Sequence, residues 1–240
     1  MNIRFQKHGV LIDNFNEWKK LGHPKSDDQW VEGRSSFEMA RFAIEHTDAF
    51  KKMIEDVLAK CKIETQDFIS EPESTSGLGK GMKRGGSRNH DLRMIGKNCV
   101  IGVEAKVSES FDNKIKDVID EQTKEDPHNT RAYCLSRFLA PDKDVDERGY
   151  QLFTATRGIM CDAYRLQYSK SILLVIVFTG NVRKEKKYES NCLSNDVDFD
   201  EFKKAIETDT NDLIQREING RTISCWIKKI KVQIPEYSFY

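Results

Sequence analysis

The sequence predicts one α/β domain. Segments of helical periodicity alternate with short strand-like runs along the chain. The longest apolar run, Ile172 to Phe178, is continuous and rich in β-branched residues, as expected of a strand buried on both faces. No internal repeat or linker-like stretch divides the 240 residues, a length that suits one domain with its own core. The charges cancel, 39 Lys plus Arg against 39 Asp plus Glu. That excludes a uniformly basic nucleic-acid coat or an acidic tail, but leaves room for a local basic patch.

The elements follow in order. Residues 1 to 34 are mixed. Ser35 is a candidate N-cap with Glu38 at capping-box spacing. Phe37, Ala40, Ile44, Phe50, Ile54, Val57 and Leu58 form a helical stripe, which Thr47-Asp48 would divide into two helices by capping the second. A short strand is expected over 62 to 70. Pro72 to Asn89 reads as a loop, with half of Gly77 to Gly86 glycine. Strands follow over 90 to 95 and 98 to 107, joined by a turn at Gly96-Lys97. Helices are expected over 113 to 125, 130 to 139 and 149 to 167, a strand over 171 to 179, a polar connection over 181 to 195, a helix over 198 to 217 and a closing strand over 222 to 234.

A membrane helix needs roughly 20 apolar residues, and the longest run here has seven. Cys61, Cys99, Cys134, Cys161, Cys192 and Cys225 are dispersed, with no CxxC and no zinc-ligand spacing. Reduced thiols in a cytoplasmic protein are the expectation.

The chemistry concentrates between Asn89 and Val107. Side chains alternate along a strand, so Ile101, Val103, Ala105 and Val107 form an apolar face. Glu104 and Lys106 then share the other face with Gly102. Burying two charges in an apolar strand is expensive unless they pair or hold a metal. The turn at Gly96-Lys97 would fold Asp91 back beside Glu104 and Lys106. Two close carboxylates repel, and Mg²⁺ between them removes that penalty. The ion can activate water and stabilise phosphoryl charge, while a lysine orients or deprotonates the water. The competing reading is an exposed edge strand with a Glu/Lys pair and Asp91 in a turn.

Asp91 followed by Glu104-Ala105-Lys106 in a hydrophobic strand resembles the signature of the PD-(D/E)XK nuclease superfamily. Trp30-Val-Glu-Gly-Arg-Ser35, Gly85-Gly-Ser-Arg-Asn-His-Asp91, Val103-Glu-Ala-Lys-Val107 and the Tyr150 helix start look like an uncharacterised bacterial family within it. The usual proline before the aspartate is replaced by His90. The resemblance spans roughly 30 to 180, with residues 181 to 240 as a C-terminal helix and strand extension. It implies a restriction-endonuclease-like core, a mixed central sheet of four to five strands flanked by helices. It also implies cleavage of DNA, or less often RNA, that depends on Mg²⁺ or on Mn²⁺ in its place, in a setting of restriction or phage defence. Asp91 and Glu104 would be metal ligands, joined by the carbonyl of Ala105, and Lys106 the catalytic lysine. Glu38 is either the acidic residue of the first helix or a capping-box residue, with Glu32 a rival for the acidic role.

Lys80, Lys83, Arg84 and Arg88 sit in the glycine-rich stretch that leads into this strand, placed to hold a nucleic-acid backbone. It is not a P-loop. Gln151 or Arg157 could reach phosphate, although a surface role is expected for each. His90, adjacent to Asp91 in a strand, should face the opposite side. The clusters at Arg183 to Lys187 and Lys228 to Lys231 read as solubilising. A homodimer would supply two sites for a double-strand cut, and a separate protein could supply target recognition. The alternative is a nuclease fold that has lost catalysis and serves as a nucleic-acid-binding or assembly subunit.

Overall fold

The computed structural model describes residues 1–22, 30–79, 86–107, 109–111, 113–123, 126, 128, 130–180 and 188–240, with side chains of 188–194 left out. The expected basic residues Lys80, Lys83 and Arg84, and the Arg183 to Lys187 cluster, lie outside these residues.

The chain forms β1 (Ile3–Lys7), β2 (Val10–Leu11), α1 (Phe15–Gly22), α2 (Ser35–Ile44), α3 (Thr47–Lys60), β3 (Phe68–Gly77), β4 (Ser87–Ile95), β5 (Cys99–Lys106), α4 (Ile115–Gln122), α5 (Arg131–Leu139), α6 (Tyr150–Arg165), β6 (Lys170–Gly180), α7 (Tyr188–Ala205), β7 (Leu213–Ile218), β8 (Arg221–Ile234) and β9 (Ser238–Phe239). Among the described residues, nine strands make one mixed sheet, ordered β2-β1-β3-β4-β5-β6-β8-β7, with β9 on β8. β3, β4 and β5 are antiparallel neighbours, while β5, β6 and β8 run parallel. The α4–α5–α6 excursion supplies the crossover that a parallel β5–β6 pair requires.

β5 is buried along its whole length and β6 over most of it. Their alternate residues fill two cores. Ile101, Val103, Ile172 and Leu174 pack with Met39 and Phe42 of α2 and Phe50 and Ile54 of α3. Val100, Leu173 and Val175 pack with Leu135 of α5, Phe153 of α6 and Phe202 of α7. Helices cover both faces, as parallel strands demand. The apolar face expected for β5 is present, and its two charges are indeed buried.

Several elements differ from expectation. β1, β2 and α1 organise the N-terminal stretch that carried no clear pattern. The strand expected over 62 to 70 instead runs through Pro72 to Gly77. Its serines and proline give no strand signal by composition. Pairing supplies the strand, because β1 meets β3 only over Phe68 to Ser70, and Pro72 lies where that ladder has ended. The helix expected to reach 217 stops at Ala205. Asp209 Oδ1 accepts the N–H groups of Asn211 and Leu213, and Asp212 adopts a φ of 61°, so the polar turn delivers β7 instead. The split between α2 and α3 is as expected, but His46 is the N-cap. Thr47 Oγ1 donates backwards to Ala43 O and Ile44 O.

Candidate active site

The β4–β5 ladder pairs Ile95 with Val100 through to Leu92 with Val103 and stops there. The next positions are Asp91 and Glu104. β3 and β4 pair at Pro72–Leu92 and at Ser74–His90, skipping Glu73 and Asp91. Glu73 has a φ of 44°, in the left-handed region that non-glycine residues rarely adopt.

This distortion switches the face on which side chains emerge. On one side of it, Glu71 pairs with Arg93, and Arg93 Nη1 lies 3.1 Å from Asp162 Oδ2 of α6. On the other side, Ser76 donates to the same Asp162 oxygen. A Cβ on Gly158 of α6 would lie 3.2 Å from Ser76 Cβ, 3.3 Å from His90 Nε2 and 3.5 Å from Arg88 Cβ. Odd and even positions of β4 therefore both face α6. The expectation that His90 points away from the site is wrong for this reason: strict alternation ends at Asp91.

Glu104 is fully buried. Arg88 Nη2 pairs with its Oε2, and Arg88 Nε lies 3.3 Å from Oε1. His90 Nδ1 is 3.0 Å from Oε1, and Gln151 Nε2 donates to Oε2 at 2.9 Å. Burial pushes the Glu104 pKa up, but Arg88 and the His90 hydrogen bond outweigh it and hold the carboxyl down at about 2. Asp91 goes the other way. Burial and the Glu104 charge raise it to about 6, against the opposing pull of the Ala105 N–H, Lys106 and Arg88. Asp91 Oδ2 accepts that Ala105 N–H at 2.6 Å. Two neighbouring carboxyls pushed apart in acidity are a common mark of a functional site.

Lys106 is buried. Its amine donates to Ser110 O at 3.1 Å and lies 5.5 Å from the centre of the Phe111 ring. A cleft of about 230 Å³ opens beside Asp91, lined among others by Ser35, Glu73, Arg88, Glu109 and Gln151. Asp91 and Glu104 thus stand where the two strands part. The turn that brings them there lies at Lys97-Asn98, closed by Gly96 N–H on Cys99 O, rather than at the expected Gly96-Lys97.

Glu38 is not in a capping box. The N-cap of α2 is Arg34, without a side-chain cap. Glu38 is buried, accepts Gly33 N–H at 2.7 Å and accepts the Tyr237 hydroxyl, tying the start of α2 to the C-terminal segment. No contact joins it to Asp91 or Glu104. Glu32 sits in an exposed pair with Arg41. The surface roles expected for Gln151 and Arg157 are overturned, since both are buried. Arg157 packs 3.7 Å from the Phe138 ring centre and donates to Leu78 O, away from the carboxylates. Lys228, Lys229 and Lys231, expected to be solubilising, are instead held in ion pairs, Lys228 with Asp212 and the other two with Asp196.

Sequence reasoning missed Glu109. Its Oε2 accepts Val107 N–H at 2.9 Å and its Oε1 accepts Ser35 N–H at 3.3 Å, so it joins the end of β5 to the N-terminus of α2, where a negative charge is favourable. Its position two residues beyond Val107 was the available signal.

No group of three or more His, Cys, Asp or Glu suited to holding a metal gathers among the described residues, and no helix among them is long and apolar enough to cross a membrane. Comparison with curated proteins and with solved structures gives no match. The model of a family described as a domain of unknown function, DUF6946, matches residues 11–232, so the chain belongs to that family.

Proposed function

We propose that this protein is a Mg²⁺-dependent nuclease of the PD-(D/E)XK type, hydrolysing phosphodiester bonds of DNA. The observation that carries the reading is the meeting of Asp91 and Glu104 where β4 and β5 part, with Lys106 two residues on. Two carboxylates with opposed acidity shifts fit a hard divalent cation, because Mg²⁺ commonly takes one or two carboxylates and keeps water for the rest. Asp91 and Glu104 would hold the ion, which when bound supplies Lewis acidity at a phosphoryl oxygen and a more acidic water. The Ala105 carbonyl remains a proposed third ligand. Lys106, fixed by Ser110 O, would orient the nucleophile or stabilise developing charge. Arg88 and the stretch holding Lys80, Lys83 and Arg84 would bind the phosphate backbone, with an affinity that falls as salt rises. Gln151 holds Glu104 rather than phosphate. The described thiols, Cys61, Cys99, Cys134, Cys161 and Cys225, are free and mostly buried, in keeping with a reducing, cytoplasmic setting. A role in restriction or phage defence, a homodimer for double-strand cuts, and a separate recognition partner extend the proposal.

One observation favours a second reading. Glu104 is already served by Arg88, His90 and Gln151, as would suit a nuclease fold retained for nucleic-acid binding alone. Incubating the purified chain with plasmid DNA, single-stranded DNA and RNA in Mg²⁺ or Mn²⁺ separates the two. Cleavage by wild type that Lys106→Ala loses supports the enzyme. Equal cleavage by both, or none on any substrate, contradicts it.

A further inference from the structure

Glu104 has no contact with solvent, so its negative charge needs a compensating cation within the protein. Arg88 is that cation. It reaches Glu104 with both Nε and Nη2, yet its own side chain keeps one fifth of its surface exposed and lines the cleft beside Asp91. His90 and Gln151, the other two donors to Glu104, are buried. Gln151 also lines the cleft but is neutral, so among the described residues Arg88 is the charged Glu104 partner that opens into it.

We infer that Arg88 is an exchangeable counterion: it neutralises Glu104 in the resting protein, and a phosphate of the substrate draws it into the cleft so that a divalent cation can take its place. The inference rests on the two-carboxylate metal reading above and adds a rule of order to it. A guanidinium and a divalent cation cannot share one buried carboxylate without repelling each other, since charges this close interact strongly away from bulk water. A phosphate offers Arg88 the same planar, two-point hydrogen bonding that the Glu104 carboxylate offers. Substrate and metal should therefore bind with positive coupling, each tighter when the other is present. Free metal alone would meet a site whose charge is already cancelled.

The test is calorimetric titration of Mn²⁺ into the full chain, with and without a short single-stranded phosphorothioate DNA. In wild type the DNA should tighten Mn²⁺ binding at least about tenfold. Arg88→Gln should bind Mn²⁺ alone at least about tenfold more tightly than wild type, and DNA should add little further. Arg88→Lys keeps a point charge without the fork and should lie between the two, which preserves the test if Arg88→Gln does not fold. If neither variant binds Mn²⁺ more tightly than wild type while Glu104→Gln abolishes binding, the exchange is wrong and the metal site stands. If no form binds Mn²⁺ under either condition, both fall.

Discussion

Asp91 Oδ2 accepts the Ala105 N–H at 2.6 Å, beyond the last β4–β5 pair at Leu92 and Val103. A side chain thus does what the next backbone group of β4 would otherwise do. The strands can separate without stranding the Ala105 amide, and Asp91 and Glu104 occupy the positions where they part.

Placing them there should be visible in the pH dependence of stability. The folded-state pKa of Asp91 is raised, from an ordinary value near 3.8 to about 6. Its contribution is then fully present below pH 3.8 and is lost as pH rises through 6. Asp91→Asn should therefore melt higher than wild type at pH 7.5, by something of order 2 kcal/mol. The advantage should vanish below pH 4. Thermal denaturation across that range checks it, and an Asn variant less stable at pH 7.5 would show that the hydrogen bond outweighs the repulsion.

Glu104 has the opposite sign. Its depressed pKa stabilises the fold above pH 4.5 and is lost only as pH falls through about 2. Replacing it with Ala leaves Arg88 without its buried partner and should cost about 3 kcal/mol at pH 7. Urea denaturation measures this, and a change under 1 kcal/mol would mean that Arg88 finds an equally good place in the cleft.

Gly102 makes room for the His90 ring. A Cβ there would sit 2.9 Å from His90 Cε1 and 3.0 Å from Nδ1, with Ile159 Cδ1 at 3.2 Å. Gly102→Ala should cost about 1–3 kcal/mol by overpacking and push His90 off Glu104. A stability within a few tenths of a kcal/mol of wild type would mean that the ring is free to move.

Among the described residues, Arg157 is buried without a carboxylate partner, and its Nη1 makes no hydrogen bond. Arg157→Met keeps the packing against Phe138 while removing a costly buried charge. It should cost no more than about 1 kcal/mol and leave nucleic-acid affinity unchanged. A large loss of affinity would restore the phosphate role considered from sequence.

The legible part of this molecule was the part whose signal is local. Ile101, Val103, Ala105 and Val107 announced β5 and its inward face, and the apolar run from Ile172 announced β6. Asp91, Glu104 and Lys106 were readable as charges in and beside an apolar strand, but the register was not. The turn lies at Lys97-Asn98, one residue beyond the expected Gly96-Lys97, which moves the partner of each β4 residue by two. The role of His90 was not readable. It depends on Glu73, a residue of another strand, adopting a positive φ beside Asp91. β3 was hidden for a similar reason, since its polar part, Glu71 to Gly77, is held as a strand by pairing with β4. Glu38 shows the converse. Its spacing from Ser35 was right for a capping box, but Tyr237, remote in sequence, claims it instead.

The central claim is that Asp91 and Glu104 share one divalent cation. Electron paramagnetic resonance of Mn²⁺ with the full chain, in the presence of a phosphorothioate DNA, tests it most directly. One bound Mn²⁺ per chain is expected in wild type, lost in both Asp91→Asn and Glu104→Gln. Mn²⁺ retained by both variants, or absent from the wild-type complex, would contradict it.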